Sequence, residues 1–388
     1  MDFSLSIELL LGTLAIFLFG VVVAARVVSI PVAVAVALAK AVLPFAYFGF
    51  FFNPDWALID GIKYYESGQH FLAEGYTPLS LFDQDAIIYS FTNSGGQHIL
   101  YDWYNLIAQW LFGGSYAAPV YMNVALTFVS ANLLHGIARR LQFGRLYCSA
   151  LFVMFALHWE LLSWSSIANL KDSLVLLLTV ATFYAGLALF QQRRLRHALA
   201  LLVLLFLFYW IRFYVPLLML CAVLLYVFFA NSGRARLYII ASAALLAGVY
   251  VAVMGWAAIA EGIGRLDAGA GMLSGAVKVM LIPRPWSLEP EYTFLLIPSL
   301  LHWAFLPALI AGAVMLWRQA PVYRLLLIYF LTMLLFYGAF EELQGARQRV
   351  QVLFIYAWAQ FHCLWVVLER FGLRASEMHG PAPRAPVP

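Results

Sequence analysis

Charged side chains are scarce in this sequence. Asp, Glu, Lys and Arg make up 11% of the 388 residues, whereas hydrophobic residues make up 64%. Soluble domains carry roughly 25% charged residues, so this composition excludes an ordinary soluble globular protein. Continuous apolar runs recur along the chain, many near the roughly 20 residues that cross a bilayer. Because these runs do not alternate with polar residues, they predict an all-α, polytopic transmembrane helical bundle rather than a closed barrel.

Cysteine and the familiar soluble-enzyme motifs are also scarce or missing. Cys148, Cys221 and Cys363 lie in apolar runs without a CxxC or Cys/His cluster, which excludes a disulfide framework and a thiolate metal site. We interpret them as packing residues. The sequence contains no HExxH, P-loop, GxSxG or GxGxxG arrangement. Its net charge of +4 comes from cations beside helices, so no nucleic-acid partner is expected.

The apolar runs predict about eleven spans. They cover about residues 9–23, 29–52, 117–137, 146–164, 173–190, a pair either side of 210–214, then 237–257, 294–316, 325–340 and 352–368. Two long stretches, 53–113 and 259–291, are predicted as loops on the outer side. We expect residues 1–368 to form a single transmembrane catalytic domain. The Pro- and Ala-rich residues 375–388 predict a disordered cytoplasmic tail.

Basic residues occupy alternate connections between the predicted spans. They are Arg26; Arg139, Arg140 and Arg145; Arg193, Arg194 and Arg196; Arg234 and Arg236; Arg318 and Arg324; Arg370 and Arg374. Basic short loops face the cytoplasm, which predicts a multi-pass protein of the cytoplasmic (inner) membrane with its N-terminus outside and its C-terminus cytoplasmic. Asp2 and Glu8, rather than cations, precede the first apolar run. We therefore expect a retained first span and not a cleaved signal peptide.

The first outer loop, residues 53–113, is acidic and rich in aromatic residues. Its carboxylates are Asp55, Asp60, Glu66, Glu74, Asp83, Asp85 and Asp102, against the single cation Lys63. The spacing of its apolar residues over 62–73 predicts an amphipathic helix lying along the membrane surface. Asp60 would sit near the start of that helix. It is either a functional carboxylate or a helix N-cap.

Further ionisable groups fall on the predicted outer side, several of them at the ends of apolar helices. They include Lys171, Arg212, Arg284, Arg347 and Arg349. Charges close to hydrocarbon are costly and usually have a functional or pairing role. A carboxylate facing arginines in one cavity would suit an anionic lipid-linked substrate and a hydroxyl acceptor, because arginine binds phosphate bidentately and a carboxylate can act as general base.

Four short motifs carry a resemblance to a known family. Asp60 precedes Tyr64 in the first outer loop, and residues 165–173 read SSIANLKDS. Residues 283–286 read PRPW, and residues 345–349 read GARQR ahead of the last span. With these motifs the chain resembles bacterial glycosyltransferases of the GT-C superfamily, of the protein O-mannosyltransferase and lipid A aminoarabinose-transferase type, and related polysaccharide-assembly membrane proteins.

The resemblance covers residues 45 to 368 thinly. The chain departs from the better-known members because its first outer loop follows the second span rather than the first. It also has no large soluble outer domain. Both departures leave the subfamily, the donor and the acceptor open.

The resemblance implies that Asp60 is the catalytic base. It would deprotonate an acceptor hydroxyl on a lipid, glycan or protein, and that hydroxyl would attack the anomeric carbon of a polyprenyl-phosphate-linked sugar. The residues expected to bind the substrate are Lys171, Arg212, Arg284, Arg347, Arg349, Asp102 and Tyr64. No cofactor is required, although Asp60 with Asp102 or Glu66 could bind a divalent metal ion.

Several ionisable residues also have a structural interpretation. Lys171 with Asp172 could cap a helix start, and Arg212 could be an interfacial arginine that extends to the membrane surface. Arg347 and Arg349 could pair with Glu341 and Glu342. Asp102 could stand among aromatic residues that anchor the loop at the surface. His158 and Glu160 could line a cavity or pair between helices, and Lys40 could be a buried partner or snorkel.

Two other functions remain open from the sequence. The first is a polysaccharide polymerase or ligase that uses a lipid-pyrophosphate oligosaccharide, which shares the need for arginines. The second is a lipid or sugar transporter or flippase. Transporters typically show internal repeats and broken helices at mid-membrane. This sequence shows no repeat between its halves, and its polar groups cluster at one predicted face.

Overall fold

The computed structural model describes residues 6–94, 98–230 and 270–371, with isolated positions between 233 and 248. Regular structure within these ranges is helical, which confirms the predicted helical class. Most of the predicted eighth span, residues 259–269 of the second predicted outer loop, and the predicted tail 375–388 lie outside the described residues.

The described residues up to Ala230 form eleven α-helices. They are α1 (Ile7–Ala24), α2 (Ile30–Ala46), α3 (Ile59–Ala73), α4 (Gln84–Ser94), α5 (Ile99–Phe112), α6 (Ala117–Arg140), α7 (Arg145–Ala156), α8 (Trp159–Ile167), α9 (Asp172–Gln192), α10 (Leu195–Arg212) and α11 (Tyr214–Ala230). A π-helical turn, Tyr47–Phe51, extends α2, and 3₁₀ turns occupy Pro54–Trp56 and Pro78–Phe82.

The last third of the chain adds four more α-helices. They are α12 (Ala270–Leu281), α13 (Leu296–Gln319), α14 (Pro321–Ala339) and α15 (Leu353–Arg370). Three 3₁₀ segments, Pro290–Leu295, Glu341–Leu343 and Ala346–Val352, stand between or before these helices.

Eight helices in the described part of the chain are long and apolar enough to cross a membrane, or nine if one bent pair counts as a span. They coincide with predicted spans, whereas α11 is a shorter apolar helix. The chain is therefore a multi-pass, all-helical membrane protein. Its candidate spans are α1, α2 with its π turn, α6, α9, α10, Tyr292–Gln319, α14, Ala346–Arg370 and the α7–α8 pair.

The predicted fourth span is not one straight helix. It is bent by 45° between α7 and α8. The Nζ atom of Lys40, which is fully buried, donates to the carbonyl oxygen of Ala156, 3.0 Å away, at the end of α7. This bond satisfies a carbonyl that a helix end leaves without an intrahelical partner. Lys40 is thus a buried partner and does not snorkel.

The last helix lies at the centre of the bundle. Every residue of α15 from Leu353 to Cys363 is buried. Gly312 on α13 faces the backbone of Ala359 so closely that a Cβ atom would clash with it. Gly275 on α12 and Gly338 on α14 approach each other in the same way. Small residues allow such close helix packing where lipid provides no hydrophobic driving force between helices.

The stretch 53–113 folds as a helical layer on the bundle. The helix predicted over 62–73 exists but begins at Ile59, with Leu58 at its N-cap position. The expectation that Asp60 is the N-cap is therefore wrong, because Asp60 lies inside the first helical turn. Helix α3 packs on α5, where Phe71, Trp103 and neighbouring apolar residues form a small separate core.

Candidate functional site

The structure brings Asp60 and Arg347 together from distant parts of the chain. Asp60 lies in the first turn of α3, and Arg347 lies in the 3₁₀ segment Ala346–Val352 that leads into α15. The Nη1 atom of Arg347 donates to Oδ2 of Asp60 over 2.7 Å. The two side chains remain 28% and 44% exposed, respectively. This pair therefore joins the predicted base to a predicted phosphate ligand at an accessible position.

Asp60 remains ionised at neutral pH. Burial by itself would raise the pKa of its carboxyl group. The hydrogen bond and positive charge of Arg347, with the charges of Lys171 and Lys63, outweigh burial and hold the pKa below its ordinary value. A carboxylate held in this way accepts protons poorly while the guanidinium stays beside it.

Arg347 also lines an open cavity of about 490 Å³. The cavity lies between the loop after α12, the segment before α13 and the segment before α15. Its wall includes the cations Lys278 and Arg284 as well as Arg347, and the carboxylates Glu289 and Glu342. Trp164, Tyr292, Leu288 and Leu295 supply apolar and aromatic surface. A volume of roughly 300–1,000 Å³ with a few converging polar groups is typical of a small-molecule site.

Arg212 is buried rather than exposed at the membrane surface. Its Nη2 atom lies 2.8 Å from Oδ1 of Asp172, and both side chains are 4% exposed. Its Nη1 atom donates to Tyr214, Tyr337 and Gln348. The interpretation of Arg212 as a snorkelling arginine is therefore wrong, because Asp172 provides a buried countercharge.

Lys171 stands between this buried pair and helix α3. Its Nζ atom lies 3.0 Å from the hydroxyl of Tyr64 and 2.9 Å from Nδ1 of His98. Burial lowers the pKa of Lys171 to about 7, and the nearby charge of Arg212 acts in the same direction. Lys171 and Asp172 do stand at the start of α9, but neither caps it with a side-chain hydrogen bond.

Arg349 belongs to a buried cluster beneath the cavity. Its Nη2 atom lies 3.1 Å from Oε1 of Glu160, which also lies 2.8 Å from Nδ1 of His302. Nη1 of Arg349 donates to the carbonyl oxygens of Val279, Met280 and Ile282 at the end of α12. Glu160 and His302 thus pair between helices, and this cluster holds the chain that continues to Arg284.

The proposed pairing of Arg347 and Arg349 with Glu341 and Glu342 does not occur in the structure. Arg347 pairs with Asp60, and Arg349 pairs with Glu160. The 3₁₀ segment points these two residues in different directions, one to the accessible end of α3 and the other into the bundle. His158 likewise contacts a helix neighbour, with its Nε2 atom 3.0 Å from Oε1 of Gln360.

Asp102 is buried on α5, with a side chain that contacts α3. The residue is 5% exposed. Burial raises the pKa of its carboxyl group to about 7, although a hydrogen bond with Ser67 and the charge of Lys171 oppose this shift. Asp102 does not line the cavity described above. Asp102 therefore lies in the interface between α3 and α5.

No group of three or more His, Cys, Asp or Glu side chains that could hold a metal ion occurs among the described residues. Asp60 and Asp102 have different partners, a guanidinium and a serine hydroxyl, respectively. In the structure Asp60 and Asp102 therefore have other partners, and the possibility of a divalent metal ion remains a hypothesis.

Several residues around the site gave little signal in the sequence. Asp172 and Glu160 are the buried countercharges of two arginines, and their sequence neighbours do not identify those partners. His98 and Lys278 also contribute, yet neither stands in a recognisable motif.

Asn169 stands in the SSIANLKDS motif, where its side chain forms hydrogen bonds with Gly61, Tyr101 and Asn105. It thereby holds α3, α5 and the start of α9 together.

Comparison with known proteins identifies no relative. The chain matches no protein-family model, no curated protein and no solved structure. The functional interpretation therefore depends on the geometry and on the motifs quoted above.

Proposed function

We propose that this protein is a membrane-embedded glycosyltransferase that moves a sugar from a polyprenyl-phosphate donor to an acceptor hydroxyl. The observation that supports this proposal best is the pairing of Asp60 with Arg347 at the edge of the arginine-bearing cavity. It places a carboxylate that can receive a proton next to a cation that can hold a phosphate. Both needs of the reaction are met within one ion pair.

The proposed reaction uses these groups in complementary roles. The acceptor oxygen attacks the anomeric carbon and forms the new glycosidic bond, while its proton goes to Asp60. The bond between the anomeric carbon and the phosphate oxygen breaks, and polyprenyl phosphate leaves with the electron pair. Arg284 and Arg347, on the cavity wall, stabilise the negative charge of that leaving group. Trp164 and Tyr292 provide aromatic surface for the sugar.

Arg212, Arg349 and Lys171 receive a different role in this proposal from the one that the resemblance implied. Arg212 and Arg349 already have buried carboxylate partners, and none of the three lines the cavity. We propose that they support the site from beneath or beside it. Direct contact with the donor phosphate is assigned to Arg284 and Arg347.

We place the site at the outer face of a cytoplasmic membrane, in a bundle of about eleven spans. The alternation of basic connections supports this placement, with the N-terminus outside and the C-terminus inside. A polyprenyl chain would then lie in the bilayer while its phosphate enters the cavity from the side of the bundle. The aromatic residues of the 53–113 layer suit the membrane surface.

The proposed function is tested by measuring sugar transfer in membranes that contain the Asp60→Asn variant of the protein. A membrane fraction from cells that make this protein is supplied with radiolabelled polyprenyl-phosphate sugar, and label that passes to acceptor is counted. We expect Asp60→Asn to lower transfer by about 100-fold or more, since general-base catalysis contributes roughly 10²–10⁴-fold. The amide is close in size to the carboxylate and preserves the fold.

Asp55→Asn is the matched control because Asp55 is an exposed carboxylate five positions earlier in the chain. It should transfer sugar as fast as the unchanged protein. Equal transfer by Asp60→Asn and Asp55→Asn would refute the proposed base.

Protease treatment of intact spheroplasts from the same cells tests the proposed orientation. A C-terminal tag should resist added protease, and its digestion would overturn the assigned topology.

A further inference from the structure

Arg347 forms the one carboxylate–guanidinium pair in the described structure that is open to solvent. The pairs of Arg212 with Asp172 and of Arg349 with Glu160 have side chains no more than 4% exposed. Arg347 and Asp60 remain 28% and 44% exposed. An accessible pair is weak, worth on the order of 1 kcal/mol or less, whereas breaking a buried pair is costly. Of these three pairs, only this one can open at low cost.

Arg347 also has binding capacity that it does not use. Its side chain makes one hydrogen bond, from Nη1 to Asp60. A guanidinium presents several N–H donors in a planar fork that matches two oxygens of a phosphate. By contrast, Arg212 and Arg349 donate to several groups each. Among these three arginines with carboxylate partners, Arg347 is therefore the one with donors left for a ligand, and it lines the cavity.

From this geometry we infer that the donor phosphate and Asp60 compete for Arg347, so that donor binding releases Asp60 to act as the base. The inference rests on the proposed function and adds an order of events to it. With the cavity empty, Arg347 holds Asp60 as an ion pair. When a phosphate enters, the guanidinium turns toward it and the carboxylate is set free beside the bound donor.

Competition for Arg347 would couple the basicity of Asp60 to donor binding. A carboxylate that loses its guanidinium partner becomes a better proton acceptor, because the nearby positive charge no longer stabilises its ionised form. Asp60 would thus gain basicity only when a donor is present. The acceptor hydroxyl is then activated next to a sugar that can receive it, and the ion pair is restored after polyprenyl phosphate leaves.

The inference predicts that removing the catalytic carboxylate strengthens donor binding. The purified full-length protein in detergent is titrated with undecaprenyl phosphate, and heat of binding is measured. Asp60→Asn and Asp60→Ser should each bind this lipid about fivefold more tightly than the unchanged protein, the factor expected from loss of an accessible competing pair. Two variants are used so that poor folding of either one does not decide the result.

Three further proteins complete the test. Asp55→Asn removes the same charge nearby and should leave the affinity unchanged, which controls for general electrostatic attraction. Arg347→Ala should bind the lipid more weakly. The double variant Asp60→Asn/Arg347→Ala should bind no more tightly than Arg347→Ala, because the gain passes through the guanidinium; a double-mutant cycle isolates this coupling.

The outcomes separate this inference from the proposed function. Unchanged or weaker binding by both Asp60 variants overturns the competition, as does a gain that persists without Arg347. Failure of the unchanged protein to bind undecaprenyl phosphate at all also overturns it. If the binding cycle behaves as predicted but no sugar is transferred, the competition for Arg347 stands and the glycosyl transfer is refuted.

Discussion

The arginines of this protein differ in how their charges are neutralised. Arg212 and Arg349 each have a carboxylate within the bundle, and Arg347 has one at its surface. Removal of one partner from a buried pair leaves an unpaired charge and costs about 3–5 kcal/mol. Variants of Arg212 or Arg349 would therefore lose stability as well as activity. Tests of the chemistry belong at Asp60, Arg284 and Arg347, where the fold does not depend on the charge.

Asp102 should make the stability of the folded protein depend on pH. Its pKa is raised to about 7 in the folded protein, above roughly 3.9 for an unfolded aspartate. Between these values the folded state binds more protons, so the contribution of Asp102 to stability falls as pH rises. Asp102→Asn, which does not titrate, should gain about 2 kcal/mol relative to the unchanged protein between pH 5 and pH 7.

Thermal unfolding in detergent at several pH values measures this gain. Asp83→Asn serves as the control for the loss of one carboxylate, because Asp83 is exposed. A constant difference between Asp102→Asn and the unchanged protein across this pH range would show that Asp102 titrates as an ordinary surface carboxylate.

Helices α12 and α14 pack closely through a glycine contact. Gly338 on α14 lies against the backbone of α12, where a Cβ atom would clash with Ala276 and Met272. Gly338→Ala should separate α12 from α14 and lower the free energy of unfolding by about 1–3 kcal/mol, the usual cost of overpacking. Because α12 leads to Arg284, the cavity should also widen and donor affinity should fall.

Gly186 on α9 is the matched control for this substitution. A Cβ atom there meets no neighbouring atom within 4 Å. Gly186→Ala should leave donor affinity unchanged and should stabilise the helix slightly, since alanine has the higher helix propensity. Similar melting temperatures for the two alanine variants would refute close packing between α12 and α14.

Helices were the part of this fold that the sequence predicted well. Hydropathy identified the segments that form α1, α6 and α9, because a span must bury its whole backbone in helix. The bend between α7 and α8 was missed because hydropathy does not distinguish a bent span from a straight one; Lys40, from another helix, bonds the Ala156 carbonyl at this bend. The early start of α3 was missed because no side chain caps it.

At the scale of the whole molecule, the site depends on contacts between distant segments. Asp60, Asp172 and Arg347 come from three parts of the chain, and Lys171 stands close enough to influence Asp60 and Arg212 electrostatically. The motifs identified the residue types, including Asp60 with Arg347. They did not identify which arginine pairs with which carboxylate, because pairing follows from the fold and not from spacing along the chain.

The bundle also explains why the arginines are divided between two roles. The pair of Arg212 and Asp172 joins α10 to α9, and the pair of Arg349 and Glu160 joins the segment before α15 to α8. Arg284 and Arg347 stand on segments between helices, facing the cavity. Buried pairs thus surround a more accessible pair of cations, an arrangement that suits the proposed binding and release of an anionic donor.

The proposed function depends most on whether the cavity between Arg284 and Arg347 holds a lipid-linked phosphate. A polyprenyl phosphate with a photoreactive group near its phosphate tests this directly, by crosslinking to the purified protein and mapping of labelled peptides by mass spectrometry. We predict labels within residues 278–295 and 342–348, which competing undecaprenyl phosphate removes. Labels confined to the outer surfaces of the spans, unaffected by the competitor, would contradict phosphate binding in this cavity.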